Sequence, residues 1–307
     1  MNKQEPFIKL RPYQQEVFWS KLRMFFLLWA RQKGKSYTFA NRAFRRMMEN
    51  QNHLVIFVSA SILLGGELLL KEAAVWQTVM TKYKAMLAAN KDFLLRTSAE
   101  DDKGNLLDID AIADLFEHNK LEAKIWHSNT SFSRTRVVAP NPNTAVGWTG
   151  DVYMDEVGRI ENLKDVFEAV MPIIDSNPLF EFLMATTPPP DDKHYSFEMF
   201  LAPEKEWPHN PRGNWYESPS GIAVHRVDAW DGQAAGVHYY DSKIKGKIIT
   251  PEEHRQQAFD KIAWDRNHGV KFIQGGTAAI SLADIQRAME LGRGNCFGFA
   301  SYERTVA

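Results

Sequence analysis

The chain has 307 residues, of which 44% are hydrophobic and 24% charged, an ordinary globular composition that excludes wholesale disorder. Thirty-seven Lys and Arg nearly cancel thirty-eight Asp and Glu, which excludes a uniformly basic coat, yet residues 1–50 alone hold eleven basic and three acidic side chains. One cysteine, Cys296, excludes a disulfide framework and a multi-cysteine zinc site.

The nine histidines show no metal-ligand spacing, and no apolar run approaches the ~20 residues of a spanning helix. The N-terminus lacks the apolar stretch of a secretory leader, so a cytosolic, soluble protein is expected. Length alone allows one large or two ordinary domains.

In chain order, Met24–Ala30 (MFFLLWA) is a continuous apolar run, the pattern of a strand buried on both faces. It leads through Arg31–Ser36 into a helical stretch over Tyr37–Glu49. Leu54–Ser59 reads as a second buried strand and about Gly66–Leu87 as a long helix. Residues 90–122 are polar and acidic and read as a peripheral excursion. Strands are expected at Ala123–His127, Thr135–Ala139, Asp151–Met154 and Phe180–Ala185, with a helix over Asn162–Val170. Strands alternating with helices predict a mostly parallel α/β sheet covered on both faces.

Beyond residue 190 the pattern weakens. Pro203–Gly221 reads as loop and Ile222–Val227 as a strand. Thr250–Trp264 reads as one helix, with Thr250 as N-cap and Pro251 at the first helical position. Ser281–Glu290 reads as a further short helix.

The sharpest local feature is Arg31-Gln32-Lys33-Gly34-Lys35-Ser36 between a strand and a helix. A phosphate loop needs backbone N–H groups at a helix N-terminus, a Lys for the β/γ-phosphates and a Ser or Thr hydroxyl for Mg²⁺. Gly34, Lys35 and Ser36 meet the second half of that pattern. Trp29 stands where its first Gly belongs, so a plain basic helix start remains the alternative on spacing alone.

Asp151–Glu156 (DVYMDE) adds a strand ending in two carboxylates. One suits a metal and the other an attacking water; an acidic turn after a strand is the ordinary alternative. One strand later, Ala185-Thr186-Thr187-Pro188 puts hydroxyls at a strand end, where they could sense a phosphate or merely close a turn. Arg42, Arg45 and Arg46 read as a solvated helix face. Trp207, Trp215 and Trp230 read as covers over a local core.

Taken in order, these segments resemble the ATPase (motor) domain of the large terminase subunit of tailed bacteriophages, over about residues 8–275. Leu10-Arg11-Pro12-Tyr13-Gln14 is similar to that family's adenine-recognition segment, and Arg31–Ser36 to its deviant phosphate loop. Asp155 and Glu156 match its metal-binding and catalytic carboxylates, and Ala185–Pro188 its coupling motif.

The resemblance implies a P-loop NTPase of the ASCE type, with an ATPase core at 1–190, a lid or linker subdomain at 191–290, and the start of a nuclease domain at 291–307. It implies ATP and Mg as cofactors. Tyr13, Gln14, Gln32, Lys33, Gly34, Lys35 and Ser36 would bind nucleotide, with Ser36 and Asp155 on Mg. Glu156, Arg31 and Lys35 would be catalytic, and Thr186 and Thr187 would couple hydrolysis to movement.

Its implied partners are double-stranded DNA held without sequence preference, a small terminase subunit and a portal protein. A ring-forming homo-oligomer on that portal is also implied, placed in the host cytoplasm at the procapsid. Ala300 stands about where the nuclease acid is expected, so no DNA cleavage is expected. Two alternatives stay open: a helicase-like DNA-dependent ATPase, and a truncated prophage product that binds nucleotide without turnover.

Overall fold

In a computed structural model the described residues are 6–89, 116–118, 121–128, 130–142, 148–203 and 205–273. The expected helix at 281–290 and the nuclease start at 291–307 lie outside them.

The strands follow the apolar runs. β1 (Met24–Trp29), β2 (Leu54–Ser59), β6 (Asp151–Asp155) and β7 (Phe182–Thr186) are almost wholly buried. They join β3 (Phe116–His118), β4 (Glu122–Trp126), β5 (Phe132–Val138), β8 (Asn214–Glu217) and β9 (Ala223–Val227) in one sheet, ordered β3-β4-β5-β2-β6-β7-β1-β9-β8. Every pair from β5 across to β9 is parallel, and the outer pairs β3–β4, β4–β5 and β8–β9 are antiparallel. β7 lies between β1 and β6, so the loop-bearing and acid-bearing strands are not neighbours.

Successive side chains of a strand face opposite ways, which divides the core in two. Phe26, Leu28, Ile56, Val58, Met154 and Met184 pack on one face, under α4 (Leu163–Asp175) and α5 (Tyr195–Phe200). Phe25, Leu27, Val55, Phe57, Tyr153 and Leu183 pack on the other. That face is covered by α1 (Pro12–Trp19), α2 (Lys35–Glu49) and α3 (Ile62–Ala89).

Two readings beyond residue 190 change. The strand read at Ile222–Val227 is β9, which pairs in parallel with β1, but β8 forms inside the stretch read as loop. The helix read over Thr250–Trp264 is two. Thr250 does cap α7 (Pro251–Gln257), but Asp260 caps Ala263 N–H and starts α8 (Lys261–Asn267) afresh. With α6 (Ala229–Ala234) and the short hairpin β10 (Tyr239–Tyr240)–β11 (Ile248–Ile249), these helices enclose a small core of Ala229, Tyr239, Ile249 and Trp264. Among the described residues no helix is long and apolar enough to cross a membrane.

The solvated-face reading of α2 is also overturned. Arg42 is completely buried, and its guanidinium donates to both oxygens of Glu181 at 2.8 Å. It also donates to the carbonyls of Val17 at 2.6 Å and Ser20 at 2.9 Å, at the end of α1. Tyr153 donates to the same Glu181 at 3.0 Å, and Arg46 pairs with buried Asp151 at 2.7 Å. Arg45 and Arg46 are half-buried, and Arg45 lies over the rings of Phe18 and Trp19.

Removing one partner of a buried pair strands the other, so Arg42→Met is expected to cost about 3–5 kcal/mol of unfolding free energy. Adding Glu181→Gln should recover part of that loss. Urea unfolding of the single and double variants measures both.

Candidate functional site

The C-terminal ends of β1 and β6 bring the loop and the two acids together. Trp29, the last residue of β1, is buried; its indole N–H donates to Nδ1 of His225 on β9 at 2.9 Å. The departure from the Gly pattern is thus a core side chain whose one polar atom is satisfied. From Trp29 the chain turns through two left-handed residues, Gln32 (φ 59°) and Gly34 (φ 84°), before α2 begins at Lys35. Such alternation turns successive N–H groups into one concavity, continued by the unpaired N–H groups of the helix start. Gly34 is required twice: by its φ, and because a Cβ there would lie 2.6 Å from the Gln14 amide nitrogen.

Lys35 is nearly buried; its ammonium donates to the carbonyl of Trp29 at 3.2 Å and sits 3.8 Å from a Glu156 carboxylate oxygen. Ser36 Oγ donates to Asp155 Oδ2 at 2.6 Å across 119 residues of sequence. The other Asp155 oxygen accepts the Glu156 N–H at 2.9 Å. Burial, and then the charge of Glu156, push the Asp155 carboxyl up, while Ser36 and Lys35 oppose the rise. Glu156 itself has a left-handed backbone (φ 53°), which swings its side chain off the strand line toward Lys35.

A serine hydroxyl touching a buried carboxylate is a hard-oxygen donor pair. It fits Mg²⁺, which takes few protein ligands and fills its remaining positions with phosphate and water.

The turn after Glu156 is tied to β7. Thr186 Oγ1 accepts the Gly158 N–H at 3.0 Å and donates to the Thr187 carbonyl at 2.7 Å. A side chain at 158 would meet that hydroxyl at 2.7 Å. Thr187 lies beside it, half-buried.

Three residues read as nucleotide contacts are placed elsewhere. Tyr13 is buried and donates to the Lys33 carbonyl at 3.0 Å. Gln14 is buried against Gly34; its carbonyl accepts the Arg11 N–H at 2.9 Å, and its NH₂ has no partner. Both pack against the loop, and neither is among the residues that line the cleft above it. The Lys33 side chain leaves the loop altogether, to stand 4.4 Å over the Tyr239 ring and against Gly232.

Above the loop lies a cleft of ≈ 670 Å³, within the ~300–1,000 Å³ usual for small-molecule sites. Arg31, Gln32, Lys35 and Glu156 line one side; His238, Tyr239, Tyr240, His254 and His268 line the other. Burial, then His254, Lys33 and Arg31, hold the His268 imidazole down to about 4, and burial lowers His254 also. These rings are therefore neutral at pH 7, an aromatic wall opposite a charged one. No motif marks this wall in the sequence, because the β10–β11 hairpin assembles it from separated residues.

No protein-family model and no curated protein matches the sequence. Among solved structures, the ATPase domain of the Thermus phage P74-26 large terminase is similar in fold, with TM-score 0.55 at 14% identity. That overlap covers 86% of this chain and 100% of the other. A mutant of the same domain gives TM-score 0.57 at 14% identity, over 86% and 95% of the two chains.

The buried Lys33 has a stability consequence. Burial, and then Arg11, hold its ammonium down from the usual 10.5 to about 8, with Asp228 opposing. Between those values the unfolded chain binds a proton that the folded one lacks, so this group makes stability rise with pH across that window. Lys33→Met is expected to remove that contribution, ~1 kcal/mol per pH unit. Urea unfolding of wild type and variant from pH 8 to 10.5 reads the difference.

Proposed function

From the large terminase ATPase fold that the chain shares, we propose that it hydrolyses ATP with Mg²⁺ to drive double-stranded DNA into a viral procapsid. The observation that carries the reading is the convergence of Ser36 with Asp155 at 2.6 Å and Lys35 with Glu156 at 3.8 Å, at the start of one helix.

In this reading the triphosphate enters the concavity of Gln32–Ser36, and the Lys35 ammonium leaves the Trp29 carbonyl for the β- and γ-phosphate oxygens. Ser36 and Asp155 would hold Mg²⁺, which when bound would supply charge neutralisation at the phosphates. Glu156 orients a water whose oxygen attacks the γ-phosphorus. The bond from that phosphorus to the β–γ bridging oxygen breaks, ADP departs with the electron pair, and Glu156 accepts the proton of the water. Phosphoryl transfer asks chiefly for positioning and charge, and Arg31, unable to deprotonate, adds both at the γ-phosphate.

The base is assigned to the wall of Tyr240, His238 and His254, which lines the cleft opposite Lys35 and Glu156. Tyr240 is an open aromatic of that wall, 56% exposed. The Thr186–Gly158 hydrogen bond carries a change at Glu156 to β7, which gives Thr186 and Thr187 the coupling role.

The sequence resemblance supplies the partners of the proposal: DNA gripped through its backbone, a small terminase subunit, a portal protein and further copies of this chain in a ring, in the host cytoplasm. Backbone contacts of that kind are salt-sensitive and blind to sequence. Lys35 and Glu156 in contact favour turnover over binding alone. The division at 190 becomes, in this proposal, a core that includes β8 and β9, with the lid beginning at α6.

Lys35→Ala and Glu156→Gln are each expected to lower ATP turnover by at least ~10²-fold, with Glu156→Gln still binding ATP. A DNA-stimulated phosphate-release assay tests this, and wild-type rates in either variant overturn the site. Tyr240→Ala should raise KM for ATP about tenfold at little cost to kcat, the signature of lost binding alone.

A further inference from the structure

A second cavity, of ≈ 370 Å³, lies beside the nucleotide cleft, and Arg31 lines both. Arg159 and Arg266 line it as well, so three arginines border this hollow. Elsewhere the arginines of the interior are matched: Arg42 with Glu181, Arg46 with Asp151, Arg226 with Asp228. The three around this cavity have no ion pair or side-chain hydrogen bond among the described residues.

The other ionisable groups do not cancel them. Glu161 is the one carboxylate of the described lining and is exposed. His194 has both ring nitrogens engaged, Nε2 with the Ile160 carbonyl at 3.0 Å and Nδ1 with Ser196 Oγ at 2.7 Å. A net positive hollow with three planar donor forks is suited to a tetrahedral oxyanion rather than to a base or an apolar group.

Two features say which oxyanion. Arg31 is shared with the cleft, so an anion leaving the phosphate loop meets this hollow across a single side chain. Gly158 and Thr186, the pair that ties the Glu156 turn to β7, also form its wall.

We propose that the hollow bounded by Arg31, Arg159 and Arg266 binds inorganic phosphate, the station that the cleaved γ-phosphate occupies on its way out. The origin of that phosphate rests on the hydrolysis proposed above; the binding of the anion does not. Occupancy then sits against the hydrogen bond between Gly158 and Thr186, so release of phosphate, rather than its cleavage, frees the turn from β7.

The test starts from Lys35→Ala, in which the phosphate loop is disabled, titrated with inorganic phosphate by calorimetry. Binding is expected to persist there and to weaken at least tenfold when Arg159→Ala and Arg266→Ala are added, since each charged contact is worth roughly a factor of ten. Arg159→Lys with Arg266→Lys should restore part of it. Arg159 is exposed, so Arg159→Ala alone keeps the test open if the double change disturbs folding.

In the otherwise native protein, Arg159→Ala with Arg266→Ala should relieve inhibition of ATP turnover by added phosphate while leaving KM for ATP within about twofold. Unchanged phosphate binding in the arginine variants overturns the proposal. So does a DNA duplex that displaces phosphate and binds with a shallower salt dependence in those variants, because the hollow is then a DNA-backbone contact. Phosphate binding that needs the arginines, in a protein that never hydrolyses ATP, sinks the hydrolysis reading and leaves the anion site standing.

Discussion

A guanidinium taken wholly out of water is tolerated only where every donor has an acceptor, and Arg42 imposes that condition on three elements at once. It requires the last carbonyls of α1, the carboxylate of Glu181 ahead of β7, and the body of α2 to meet at one place. Glu181 in turn requires Tyr153 of β6. With its middle pinned in this way, α2 has little freedom to tilt, and its first turn is directed at the end of β6. The bond between Ser36 and Asp155 is the far end of that lever.

The strand order does the rest. Because β7 separates β1 from β6, the loop and the acids face each other across the width of one strand, and the end of that strand lies between them. Thr186 stands at that end and holds Gly158, so the acid-bearing turn is supported by the strand it would have to move. Two non-glycine residues at positive φ, Gln32 and Glu156, stand on either side of this gap. Left-handed backbone at such residues costs of order 1–3 kcal/mol each and persists only where the surroundings over-determine it.

Most of the sheet was legible because buried parallel strands are continuous apolar runs, and MFFLLW and LVIFVS offer no other reading. The facing of Lys35, Ser36, Asp155 and Glu156 was legible as well, since motif order on such a sheet fixes which strand ends converge. What failed depended on depth. Arg42 reads in sequence as a surface cation and Lys33 as a nucleotide contact, and only packing reveals that one is bound to Glu181 and the other laid over Tyr239. Tyr13 and Gln14, which the motif resemblance places at a base, are buried against the phosphate loop, a depth that the sequence does not display. β8 hid in a stretch of Pro, Gly and Asn because a four-residue edge strand needs only Trp215 to pack on Phe25 and Tyr216 to reach inward. The histidine wall had no local pattern to find.

That edge strand has a bearing on how readily another chain could extend the sheet. β8 is only four residues long, and at its exposed positions it presents Trp215 and Glu217. A flank this short and charged offers few free backbone groups for another chain to extend. A ladder of backbone hydrogen bonds along this edge is therefore a poor basis for joining a second chain to the sheet.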